Sequence, residues 1–278
     1  MKRIVTTLIL AAISLSLAAQ ANITTRKYRL SDFRDKTLKV VLTGSEMMDA
    51  VTRDEVMSRW TLSPFEFCSP EEFASLLSSN AYYFLVQVEG MTRGEQEPGV
   101  TFLSVLRGGG ADINSLEEVV NMPLKGSDSS SGREFVFYGA LLDIIQDYIL
   151  RAMDNEFDAY AGLSTYAIGL SPTRDMHIYM SRGDVEATVS PMEMEGIFSD
   201  TFVLCDEEDA DAAFEEAVPG TLVSYVVAAI NPRRGSRCYK MLIDPSTRQL
   251  RYIRRHKITN KAGRGFLLDD LKKLSKKR

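Results

Sequence analysis

Histidine is scarce in this sequence. The 278 residues include only His177 and His256, whereas catalysis by a serine or cysteine nucleophile usually recruits a histidine. Neither has a cysteine close by in the sequence, and a structural zinc site needs four such ligands. We expect His177 to be a core residue of an internal strand. We expect His256 to lie on a solvated strand face, where neighbouring cations lower its pKa. The sequence thus predicts neither a metal site nor a cofactor.

The glycine and acidic motifs of common enzymes are also missing. The three glycines at 108–110 follow a strand-like stretch, but they lack the spacing of a dinucleotide fingerprint, and no Gly-Lys-Ser/Thr ending occurs. There is no Gly-x-Ser-x-Gly elbow. The acidic run at 206–211 lacks the calcium-loop pattern and is typical of a helix start. No catalytic residue is therefore assigned, and a non-enzymatic protein is favoured.

Cysteine is present in an odd number. Cys68, Cys205 and Cys238 allow at most one internal disulfide in an oxidising compartment. Each lies in an apolar, strand-like stretch, and their spacing is too wide for a CxxC motif. We expect buried structural cysteines and leave their pairing open.

Long apolar runs are missing beyond the first residues of the chain. Lys2 and Arg3 precede an uncharged run at 4–17, and small residues follow at 18–21. This three-part pattern is typical of a cleaved signal peptide, because the run is shorter than a membrane-spanning helix. We expect residues 1–21 to be removed and the mature chain, with no transmembrane span, to lie in the periplasm or outside the cell.

The charges are unevenly distributed. The net charge is −5, but residues 233–278 carry sixteen Lys or Arg and three acids. Such a segment can contact lipid, lipopolysaccharide or another anion, or it can pair with the acidic remainder of the chain. Export makes nucleic acid the least expected partner. The candidate anion-binding residues are Arg233, Arg234, Arg237, Arg251, Arg254, Arg255 and Lys257.

Similar stretches recur at an offset of 137 residues. Residues 65–68 (FEFC) match 202–205 (FVLC), and 101–106 match 238–243. Residues 40–43 fall on 177–180 in the same register. A fixed offset indicates that one supersecondary unit is used twice.

Local signals then predict the order of the elements. Each copy is predicted as a β-α-β-α-β-β unit with a mixed sheet, which makes an α/β fold. Capping-box spacings at Ser115 and Ser131 indicate helix starts between the copies, and the second opens a long helix from Phe137 to about Asn155. The predicted division is a first unit at 22–112, a connecting segment at 113–170 and a second unit at 171–278 with a basic hairpin and tail.

Several stretches resemble a group of uncharacterised exported α/β proteins of Bacteroidota. The stretches are 60–67 (WTLSPFEF), 82–85, 131–134, 223–227 and 255–257. The resemblance implies a bacterial source and an exported location, and it implies no activity.

Three functions remain open at this point. The first is a non-enzymatic envelope protein that binds an unknown partner or ligand. The second is a hydrolase of an envelope or nutrient polymer, which two close carboxylates with raised pKa values in a cleft would favour. The third is contact with an anionic surface through the basic end.

Overall fold

The computed structural model describes residues 18–19, 30–91, 94–129, 131–167, 175–233 and 235–276. Most of the predicted signal peptide lies outside these ranges. Within it, Ala18–Ala19 (β1) forms a two-residue parallel pair with Glu89 and Gly90.

The first α/β unit alternates strands and helices and then ends in antiparallel strands. Its elements are β2 (Thr37–Val41), α1 (Glu46–Arg59), β3 (Phe65–Cys68), α2 (Pro70–Leu76), β4 (Tyr82–Gly90), β5 (Val100–Arg107) and β6 (Glu117–Gly126). Short 3-10 turns lie at Phe33–Asp35 and Ile113–Ser115.

Two helices connect this unit to the next. They are the 22-residue α3 (Arg133–Asp154) and the short α4 (Glu156–Ala161). A 3-10 turn at Gly162–Ala167 follows them and packs beside the last strand of the second unit.

The second unit repeats the same order. Its elements are β7 (His177–Ser181), a 3-10 turn (Arg182–Asp184), α5 (Pro191–Glu195), β8 (Phe202–Cys205), α6 (Glu207–Glu215), β9 (Thr221–Val227), β10 (Arg237–Ile243), β11 (Leu250–Lys257) and α7 (Leu268–Lys276).

The two sheets have equivalent strand orders. The first is β3-β2-β4-β5-β6 and the second, read in the matching direction, is β8-β7-β9-β10-β11. In each, the first three strands are parallel and the last two are antiparallel additions. The predicted α/β fold with two related units and a long joining helix is confirmed.

A shared irregularity strengthens this equivalence. The β5/β6 ladder shifts register between Val105 and Leu106, and the β10/β11 ladder shifts between Leu242 and Ile243. These positions are 137 residues apart. A β-bulge at the same rung is a specific geometric feature, so its recurrence supports a copied backbone.

The offset is not constant along the unit. Cys68 faces Val41 across one ladder, and Cys205 faces Ser181 across the equivalent one. The cysteines are 137 residues apart, whereas Val41 and Ser181 are 140 apart. The predicted register of 40–43 on 177–180 is therefore displaced by three residues, because the loop between first strand and second strand differs in length.

The connecting segment also differs from the prediction. Ser115 closes a 3-10 turn whose capping box begins at Asp112, and Glu118 lies in β6 rather than in a helix. The Ser115 capping-box interpretation is wrong, because the backbone after Leu116 pairs with β5 instead. The first sheet thus gains its fifth strand from residues assigned to the connection.

Helix α3 packs between the two units. Phe137 stacks on Tyr225 of β9 with the ring centroids 4.3 Å apart, and it also contacts Phe214 of α6. On another side of the helix, Tyr138 accepts a 3.0 Å hydrogen bond from Thr52 of α1. One continuous core includes both units. The opposite face of the second sheet has its own core, covered by Phe266, Leu271 and Leu274.

Candidate functional site

The carboxyl end of β2 is one place where an open α/β sheet can bind a ligand, since the chain reverses its direction along the sheet there. The backbone N–H groups of Thr43 and Gly44 both donate to the Asp49 carboxylate, at 2.7 and 3.0 Å. Gly44 has φ +82°, which a residue with a side chain rarely adopts. An internal carboxylate therefore occupies the donors that would otherwise bind a ligand anion.

The equivalent end of β7 is filled by a buried ion pair. Arg133, the first residue of α3, donates to Asp184 at 3.1 Å and to Asp211 at 2.7 Å. It also donates to the carbonyl oxygen of Ser224 at 3.0 Å. The side chains of Arg133 and Asp184 are 5% and 2% exposed.

Hydrogen bonds from the serines complete this network. Ser224 Oγ donates to Asp184 and accepts from the N–H of Ser181 at 3.1 Å. Burial raises the pKa of the Asp211 carboxyl, against hydrogen bonds from Arg133. Every strong donor of Arg133 is thus used inside the protein, and the network joins α3 to the second unit rather than opening a site.

An open cleft lies instead beside the carboxyl ends of α1 and α3. Its volume is about 430 Å³, within the usual range for small-molecule pockets. Its lining combines two arginines, two aspartates and apolar side chains: Arg34, Arg59, Thr61, Leu62, Asp143, Gln146, Asp147 and Leu150.

The cleft floor is fixed by Gln146. Its amide accepts from the N–H of Thr61 at 2.9 Å and donates to the carbonyl of Arg59 at 3.1 Å. The carbonyl at the end of a helix otherwise lacks an intrahelical partner. Gln146 therefore holds the chain that leaves α1 against α3.

Arg59 and Asp143 lie on facing walls. Arg59 is bound by Glu55 one helical turn earlier, and its Nη1 lies 3.5 Å from Asp143. Arg248 of the second unit lies 3.8 Å from the same oxygen of Asp143. Burial raises the pKa of the Asp143 carboxyl, and Arg59 partly opposes the rise.

Asp147 lies one turn along α3 from Asp143. It accepts a 2.5 Å hydrogen bond from the Tyr166 hydroxyl, and Arg151 pairs with it at 3.0 Å. Burial and the bond to Asp147 raise the pKa of Tyr166. The hydroxyl therefore remains a proton donor that orients the carboxylate.

No family model, curated protein or solved structure matches the chain. Within the described ranges, no cluster of three or more His, Cys, Asp or Glu side chains could hold a metal ion. The helices of that same part are all too short or too polar to cross a membrane. The cleft side chains therefore carry the functional argument.

The predicted anion-binding residues do not converge in one place. Arg233 pairs with Glu97, Arg251 with Asp244 and Arg254 with Asp270. In the ladder, Arg237 faces Lys257, while Arg255 faces Tyr239 and hydrogen bonds to it. Arg234 lies outside the described residues. Much of the basic end is thus balanced by acids of the same protein.

The two histidines depart from their predicted surroundings. His177 is exposed at the start of β7 rather than internal, with Nδ1 3.2 Å from the carbonyl of Asp200. His256 is half-buried and donates from Nε2 to the Gly263 carbonyl at 2.7 Å. Its pKa is lowered chiefly by burial, with Lys240 adding to the effect.

All three cysteines are free thiols. Cys68 and Cys238 are buried and Cys205 is half-buried, which agrees with structural cysteines except for the partial exposure of Cys205. Burial raises the pKa of each thiol to about 11. Because the thiolate is the reactive form, none is a nucleophile at neutral pH.

Sequence reasoning did not find the cleft residues. Asp143, Gln146 and Asp147 belong to the predicted long helix, which was interpreted as a packing element from its apolar stripe. The available signal was the i, i+4 spacing of two acids on that helix. Only the fold brings Arg34 and Arg59 beside them.

Proposed function

We propose that the chain is an exported, non-enzymatic binding protein that takes up a small ligand in the cleft between α1 and α3. The carrying observation is the contrast between the strand ends, which internal charges fill, and the cleft, which is open. Residues 1–21 support the export part, because their charge and apolar pattern is that of a signal peptide.

The surroundings of the reactive groups favour binding over chemistry. Neither histidine and none of the cysteines lines the cleft. Its side chains are instead held by hydrogen bonds to backbone and to one another, as Gln146 and Asp147 are. Preformed polar groups around an open volume are typical of a binding site.

A hydrolase is the second candidate. Asp143 and Asp147 both line the cleft, and residues four apart on a helix are neighbours. Burial keeps the pKa of Asp143 above its ordinary value, as for a general acid. In that case Asp143→Asn would abolish turnover of a polymer that the unmodified protein cleaves.

Contact with an anionic surface has weaker support. The apolar face of α7 is packed into the second core through Leu271 and Leu274, so this helix has no free face for a bilayer. Any such contact would depend on the charges alone and would weaken steeply with salt.

Binding in the cleft can be tested with one bulky substitution. Thr61→Trp adds a large side chain at an exposed position of the cleft wall and keeps the backbone N–H that bonds Gln146. Met57→Trp is the control, because Met57 is 62% exposed and does not line the cleft. The probes are small alcohols, amides, carboxylates and amines, observed by ligand-detected NMR.

We expect at least one probe class to bind the unmodified protein and the Met57→Trp variant, and to lose binding in Thr61→Trp. Equal binding to all three proteins, or binding to none, would contradict the proposal. Export is tested separately by N-terminal sequencing of the protein secreted from a bacterial host. The expected first residue is Asn22, and Leu10→Arg should block processing.

A further inference from the structure

The polar atoms left free in the cleft indicate a ligand class. We infer that the ligand is a sugar unit, a small neutral molecule whose neighbouring hydroxyl groups each donate and accept hydrogen bonds. This inference rests on the proposed binding function and adds the chemistry of the ligand to it.

The first observation is a set of unused donors. Arg34 is exposed and makes no hydrogen bond or ion pair with any other residue that the structure describes. Arg59 uses Nε for Glu55 and Nη1 for Asp143, so Nη2 remains for a ligand. A guanidinium group presents its donors in a fixed plane and suits two adjacent oxygens.

The second observation is a matching set of acceptors. Asp143 meets both Arg59 and Arg248 through Oδ2, and Asp147 meets Tyr166 and Arg151 through Oδ2. The bonds among the described residues thus leave Oδ1 of each aspartate for a ligand. Carboxylates accept strongly from hydroxyl groups.

The third observation is the balance of charge. Two arginines and two aspartates line the cleft, so their formal charges cancel. An anionic ligand would meet Asp143 and Asp147, and a cationic ligand would meet Arg34 and Arg59. A hydroxyl group placed between an arginine and an aspartate satisfies both, since it accepts from one and donates to the other.

The apolar part of the lining fits the same ligand. Leu150 is 38% exposed, and Leu62 lines the cleft beside it. These side chains can cover the C–H face of a sugar ring. No aromatic side chain lines the cleft, so we expect a weak affinity for a single ring, with a dissociation constant on the order of 1 mM.

The test titrates the ¹⁵N-labelled protein with two kinds of probe. The sugars are methyl α-D-glucopyranoside, methyl α-D-mannopyranoside and N-acetyl-D-glucosamine. The ions are sodium acetate and ethylammonium chloride. The readout is the saturable change of amide shifts at Thr61, Leu62 and Leu150.

Two variants connect the readout to the cleft. Asp147→Asn removes the carboxylate charge and should weaken sugar binding about tenfold or more, because hydrogen bonds to charged groups are the stronger ones. Asp154→Asn is the control, because Asp154 is exposed on the same helix and does not line the cleft. It should leave the affinity unchanged.

The outcomes separate the two proposals. Saturable sugar shifts that weaken in Asp147→Asn alone support the inference. If only the ions shift these amides, the cleft binds ligands but the sugar class is wrong. If no probe shifts them, or if both variants behave alike, the inference is overturned, and the absence of all shifts also contradicts the proposed function.

Discussion

The two α/β units share a strand order but differ in the side chains at the carboxyl end of their first strands. In the first unit, Asp49 accepts from the exposed N–H groups of Thr43 and Gly44. In the second, Arg133 reaches in from α3 and pairs with the buried Asp184. The backbone of the unit is thus reused, while each copy closes its strand end with different charges.

The open cleft belongs to only one of these environments. It lies where α1 of the first unit meets α3, and its polar wall is on the solvent side of both helices. The helix that follows the first strand of the second unit, α5, has only five residues and offers no such wall. A long first helix therefore distinguishes the copy that can carry a ligand site.

The largest expected effect comes from breaking the charge network that joins α3 to the second unit. Arg133→Met leaves Asp184 and Asp211 partly uncompensated in a buried place. We expect the free energy of unfolding to fall by about 3–5 kcal/mol, measured by urea denaturation.

Arg182→Met is the matched control. Arg182 pairs with Asp206, but their side chains are 63% and 78% exposed, and such surface pairs contribute about 0–1 kcal/mol. A loss below about 1 kcal/mol for Arg133→Met would show that the network does not hold the units together.

The sequence predicted the repeat better than the contacts between its copies. Strands at 65–68 and 202–205, and at 101–106 and 238–243, were recognisable because each is a short apolar run with turn residues beside it. Arg133 lies 51 and 78 residues from its two aspartate partners. Pairing at that distance leaves no periodic signal in the sequence.

The basic end shows the same limit. Its excess charge was evident from composition, but its partners Glu97 and Asp270 lie in other elements. The missed strand β6 has another cause. Its two register shifts against β5 interrupt the alternation of apolar and polar residues by which a strand is recognised.

An intermediate effect is expected at Glu118, where the copies place different residues on one rung. Glu118 faces Leu106 in the first sheet, and Leu250 faces Ile243 in the second. Leu250 is a buried core residue. Burial raises the pKa of Glu118 to about 7, and its Oε2 has no hydrogen-bond partner in the described part of the chain.

A carboxyl with a raised pKa stabilises the fold in its protonated form. Its contribution is complete below about pH 4.5 and is lost as the pH rises through 7, by about 1.4 kcal/mol per pH unit above that value. We expect Glu118→Gln to remove this part of the pH dependence. Urea denaturation of both proteins between pH 5 and 8 should therefore show a gap that grows with pH, and parallel curves would contradict it.

The smallest effect concerns the equivalent helix starts after the two cysteines of the edge strands. Ser69 accepts a 3.2 Å hydrogen bond from the N–H of Glu72 at the start of α2. Asp206 occupies the same place before α6, but its side chain accepts no such bond and pairs instead with Arg182.

Ser69→Ala should therefore cost about 1 kcal/mol of the free energy of unfolding, since a capping bond is lost. Asp206→Ala should cost about half as much or less, because only an exposed ion pair and an interaction with the helix dipole are removed. Urea midpoints at unchanged m-values provide the comparison. If the two losses are equal, the caps act alike in solution, and the copies differ less at this position than their hydrogen bonds indicate.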